Sequence, residues 1–158
     1  MLHPAIAHFA VSLPIISLIL GLAYLYKPSE LMSKVSSRFF VFAALFMIAA
    51  FFSGKSDGSE VYALLPGEAR LLLMDHKDLG LYLAIGMAIT AIIKFFGCQK
   101  KNKKIEIASI VLVALVTMAT LYQGKMGGEL VYEHGAHVAK HSDGMDCLDD
   151  PEEFLDEN

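Results

Sequence analysis

Four apolar blocks, at residues 5–26, 39–53, 79–97 and 105–123, constrain this chain more than any other feature. A bilayer core of about 30 Å takes roughly 20 apolar residues of α-helix to cross. The second block is short and is expected to borrow flanking residues or to sit where the bilayer thins. A soluble bundle would need a polar face on every helix. The block 5–26 offers none, since its polar side chains are a few hydroxyls and His8. Hydrophobic residues make up 55% of the chain, more than an ordinary soluble domain carries. The expected fold is all-α, an integral membrane four-helix bundle running up-down-up-down. Its helices are expected near 5–26, 38–54, 79–97 and 105–123, with a glycine-rich extension at 124–135. Residues 1–141 are expected to form the transmembrane domain, and 142–158 an acidic, mobile tail.

The net charge of −4 hides an uneven distribution. The C-terminal stretch is acidic, and the linker 98–104 is basic. Neither points to nucleic acid. Short loops rich in Lys and Arg stay in the cytoplasm. The first loop has Lys27, Lys34 and Arg38, and the third has Lys100, Lys101, Lys103 and Lys104. Both are therefore expected inside and both termini outside, in a bacterial inner membrane. Lys94 is expected to snorkel from the inner end of helix three, and Glu106 to be solvated among headgroups at the start of helix four. The first cation, Lys27, follows the first apolar block, so no cleavable signal peptide is expected.

This topology puts all six histidines on one side. His3 and His8 enter helix one, His76 enters helix three, and His134, His137 and His141 follow helix four. The two cysteines, Cys98 and Cys147, fall on opposite sides and cannot bridge within one chain. Pro4 suits a first helical turn, and Pro14 is expected to kink helix one. Ser12 lies one turn deeper than His8 on the same face, and Gly80 stands likewise to His76. Ser17 and Gly21 form a small-xxx-small pair that lets another helix approach. Residues 53–58 read as a turn-rich exit from helix two. From Glu68 the pattern is helical, and it fits either a continuous helix three or a break at 75–78.

With those residues in view, the chain resembles a family of small four-span membrane proteins, the domain of unknown function DUF2231. The resemblance covers most of 2–138. It is carried by the opening His-Pro-x-x-x-His-Phe at 3–9, by Ser53-Gly54 with Asp57, by Arg70 with His76, and by the closing Gly-Gly-Glu-Leu-Val-Tyr-Glu-His-Gly at 127–135. It implies that His3, His8, His76 and His134 are family positions. His137 stands where members have a small residue. Members also tend to have proline directly after His-Phe, where this chain has Ala10, with Pro14 a turn later. No settled biochemical function comes with the family, although some members occur beside cytochrome-type redox domains.

Histidines at membrane depth point to a bound group, although one at a helix end can simply hydrogen-bond a carbonyl. The first expectation is haem b, held by two imidazoles with no covalent Cys-x-x-Cys-His attachment. His8 and His76 are the expected axial pair. His3 and His134 are then a second pair or supporting donors, Ser12 and Gly80 leave room for the macrocycle, and Arg70, Lys77 and Lys125 are available to propionates. The inner half has no histidine, so electron exchange is expected at the outer face and not across the membrane. The alternative is a copper, zinc or iron ion on His3, His8, His76 and His134, with Asp57 or Glu133 nearby. A third reading is an anchor or assembly subunit of a larger membrane complex, touching lipid and a partner at the outer face. No residues have the spacing of a nucleophilic triad, and Gly127-Gly128 follows a helix instead of opening one, so an enzyme is the least supported class.

Overall fold

The computed structural model describes residues 2–136. His137, His141, Cys147 and the acidic tail lie outside the described residues. Four helices follow in order: α1 (His3–Tyr26), α2 (Glu30–Val61), α3 (Gly67–Gln99) and α4 (Lys103–Tyr132). Connections of three to five residues force each helix back antiparallel to the one before. The helices close into a ring. α1 packs on α2 and α4, and α3 packs on the same two, so α1 and α3 face each other diagonally.

Local chemistry starts each helix. Pro4 lies in the first turn of α1. The Ser29 hydroxyl accepts the Met32 amide at 3.1 Å, and Glu30 adds a carboxylate to the first turn of α2. Asn102 Oδ1 accepts the amides of Lys104 and Ile105 to open α4. Pro14 is buried within α1, which is one helix from His3 to Tyr26.

The bundle is inverted relative to a soluble one. Its interior holds small residues, among them Ala43, Ala84, Ser36 and Ser109, around Phe40, Met87 and Val113. Large apolar side chains point outward, with Leu115 63% exposed and Met118 70% exposed. Only lipid makes that arrangement favourable, because small interior residues let backbones approach while hydrocarbon accepts the outer face. Ser17 and Gly21 are both buried as the small-xxx-small pair requires. A Cβ on Gly21 would stand 2.9 Å from Ile110 Cγ1 of α4. Three buried threonines return their hydroxyl protons to their own helix. Thr90 donates to the Gly86 carbonyl, Thr117 to Val113 and Thr120 to Val116, as a medium without water demands.

Several boundaries differ from expectation: α2 starts at Glu30 instead of near 38, and α3 at Gly67 instead of near 79. α2 does not end near 54 but continues through the Ser-Gly-Lys-Ser-Asp-Gly stretch to Val61. Its glycines act as seats for neighbours, not as breaks: the His3 ring lies against Gly54, and Leu73 of α3 lies against Gly58. α3 runs unbroken through 75–78, and α4 runs through its glycines to Tyr132. At about 1.5 Å per residue, α2, α3 and α4 are roughly 45–50 Å long and overrun the hydrocarbon core. α3 and α4 overrun it at the end where α1 begins. A small second core of Val61, Leu65, Ala69, Leu130 and Ala136 holds that extension together.

Candidate functional site

His3 is fixed from two directions at the start of α1. Leu2 has no capping side chain, so Asp57 of α2 supplies the acceptor, its Oδ2 taking the His3 amide at 3.3 Å. A carboxylate there also faces the positive end of the α1 dipole. The His3 ring nitrogen Nδ1 lies 3.2 Å from Ser53 Oγ. Ser53 already donates its one hydroxyl proton to the Ala50 carbonyl, so it accepts from His3 Nδ1–H. The ring rests on Gly54, where a Cβ would fall 2.8 Å from Cε1.

His76 of α3 reaches the same end from the opposite corner, and the two imidazoles lie close enough to interact electrostatically. Its ring sits against α4, where a Cβ on Gly127 would come within 3.2 Å of Cε1. Gln123 of α4 donates from Nε2 to the His76 carbonyl at 2.7 Å. Gly80 leaves the space for that side chain, since a Cβ there would lie 3.1 Å from Nε2. His76 Nδ1 and Gln123 Oε1 are both buried without a hydrogen-bond partner among the described residues. Buried polar atoms are almost always paired, so two orphans on touching residues are a local sign of a missing ligand.

His3 and His8 are placed differently. His8 is exposed, and its Nδ1 lies 2.6 Å from the Pro4 carbonyl oxygen. Five residues carry a helix about 140° past His3. With His3 turned onto α2, His8 faces away, and the bundle brings His3, not His8, towards His76. Ser12, one turn deeper than His8, is half-buried. His134 stands just past α4, near Glu129 in its last turn and Glu133 at its C-cap, and one ligand atom from each lies within 4.8 Å of the others.

A family described as predicted membrane protein (DUF2231) matches residues 1–140. The chain belongs to that family. No curated protein and no solved structure matches it. This DUF2231 chain is thus a four-span membrane protein, and both ends of its bundle fall within the matched region.

Two other expected site residues of the DUF2231 chain have local roles. Arg70 donates from Nε to the Leu65 carbonyl at 2.8 Å and from Nη2 to Ala63 at 3.0 Å, and it lies over the Tyr62 ring. It ties the α2–α3 connection to α3. The Gln123 side chain lies beside Gly80.

At the opposite end the sequence reading requires correction. Lys94 does not snorkel and Glu106 is not solvated by headgroups. Their side chains are 0% and 2% exposed and form an ion pair between α3 and α4. Glu106 also accepts from Tyr24 at 3.0 Å and from Ser33 at 2.8 Å, while Lys94 Nζ lies 4.5 Å from the Tyr24 ring centroid. Four helices therefore meet on one buried carboxylate. The signal in the chain was slight: opposite charges on either side of a short connection, each within an apolar stretch.

Proposed function

We propose that this protein binds haem b at the histidine end through His3 and His76, and exchanges electrons at that face of the membrane. The observation that carries the reading is the unpartnered, buried Nδ1 of His76 beside His3. Two imidazoles on facing corners of a bundle are a donor set that suits haem iron. Bound haem b supplies a one-electron couple. The chain's own residues do the positioning: Asp57 and Ser53 hold His3, and Gln123 and Gly127 hold His76.

The test is the absorption spectrum of the detergent-purified protein, oxidised and dithionite-reduced, with a pyridine assay for the porphyrin. A Soret band lost in His3→Ala and in His76→Ala, but kept in His8→Ala, supports the assignment. Colourless protein from haem-replete cells overturns it.

A second reading has its own observation. Glu129, Glu133 and His134 bring three ligand atoms within 4.8 Å, a set that suits zinc, copper or iron as an ion. Metal analysis of the same colourless sample, with loss of metal in Glu129→Gln and His134→Ala, would favour that site. If neither haem nor metal is found, the anchor reading stands.

A further inference from the structure

A cavity of about 750 Å³ opens at the Lys94–Glu106 end, between the α1–α2 connection and the end of α3. Its polar wall includes Ser33, Ser37, Lys34, Arg38 and Lys101. Deeper along the α2–α3 seam lies an apolar groove of about 300 Å³, lined by Leu45, Ile48, Ile92 and Phe96 among others. Val41 and Phe95 line both, so the two adjoin as a head and a body of one site. Its head is polar and cationic, and its body is hydrocarbon.

The charges at the head are unbalanced. Lys34 and Lys101 share the single carboxylate of Glu30, at 2.8 Å and 3.3 Å. Arg38 has no carboxylate partner among the described residues. Glu106 also lines the cavity, but its charge is matched by Lys94 and its oxygens are bonded to Tyr24 and Ser33. The head therefore offers three cations against one exposed carboxylate. Arginine and lysine beside serine hydroxyls form the usual chemistry for a phosphate group. The groove runs from there towards the bilayer midplane with an almost wholly apolar lining. A soluble anion would satisfy the head and leave the groove empty, and a neutral lipid would satisfy the groove and leave the cations unmatched.

We propose that this feature is a binding site for an anionic glycerophospholipid of the adjoining leaflet, its phosphate held by Arg38, Lys34 and Lys101 and one acyl chain lying between α2 and α3. The site is independent of the histidine end and of whatever binds there.

The experiment is native mass spectrometry of the full chain in detergent, titrated with dioleoyl phosphatidylglycerol, with the matching phosphatidylcholine, and with inorganic phosphate as competitor. One phosphatidylglycerol should be retained in preference to phosphatidylcholine, and phosphate should not displace it. Both cations of the Arg38→Gln/Lys101→Gln variant are exposed in the parent, so the double variant should fold. It should weaken retention roughly ten- to thirtyfold. Ala88→Leu, which narrows the groove, should weaken phosphatidylglycerol as well. Equal retention of the two lipids, displacement by phosphate, or unchanged binding in Arg38→Gln/Lys101→Gln would each overturn the proposal. A melting curve of each variant without added lipid separates lost binding from lost fold, and a double variant that melts like the parent yet keeps phosphatidylglycerol counts against the site.

Discussion

Lys94 of α3 and Glu106 of α4 form a buried ion pair in the half of the bundle that has no histidine. Tyr24 from α1 and Ser33 from α2 complete the coordination of the carboxylate. The four helices are thus joined at one end by a single charged group. At the other end, α2 holds His3 of α1 and α4 holds His76 of α3.

Removing one partner of that pair leaves a charge buried without compensation. Lys94→Met and Glu106→Gln are each expected to destabilise the protein, Lys94→Met by about 3–5 kcal/mol. The double variant should lose less than the sum of the two. Thermal unfolding in detergent across the four-member cycle measures the coupling, and strict additivity would show that the pair contributes nothing.

Gly54 and Gly127 bear on ligand geometry more than on stability. A Cβ at Gly54 meets the His3 ring at 2.8 Å, and one at Gly127 meets His76 at 3.2 Å. Rings can swing aside at small cost, so Gly54→Ala and Gly127→Ala should melt close to the parent while altering the Soret band or the haem content. A large drop in melting temperature with an unchanged spectrum would contradict this.

Asp57 should matter to the first turn of α1. Its carboxylate accepts the His3 amide and faces the helix dipole. Asp57→Ala is expected to cost about 0.5–1 kcal/mol, with faster hydrogen exchange at the His3 and Ala5 amides than at those of mid-α1. Unchanged exchange would show that the turn is held by other contacts.

The α1–α4 seam closes on Gly21. Gly21→Val should cost roughly 1–3 kcal/mol by overpacking against Ile110. Ile110→Ala in the same chain should recover part of that loss, and a thermal melt of the pair reads it directly. No recovery would place the strain elsewhere.

The four spans were legible because hydrocarbon imposes a length and a composition that no local preference can hide. The ends of α2 were not, because Ser53, Gly54, Asp57 and Gly58 favour turns locally. In the bundle, the same glycines are where the His3 ring and Leu73 pack onto α2, and that packing outweighs propensity. The histidine end was legible as a place, with His3 and His76 both found there. Which of His3 and His8 faces inward was not legible, because spacing along a chain does not say which way a helix is rotated.

The sequence alone determined that this chain is four membrane-spanning helices in alternating directions, with His3, His8, His76 and His134 gathered at one end. Those features follow from the bilayer's thickness and from short connections, which act on any chain of this pattern. Only the tertiary structure decided that His3 turns inward and His8 outward, that Gln123 reaches His76, and that Lys94 meets Glu106 instead of water. Each of these depends on how the helices are rotated about their axes. That rotation is set by small residues such as Gly21, Gly54 and Gly127 letting particular neighbours come close, and it exists only once all four helices are packed together.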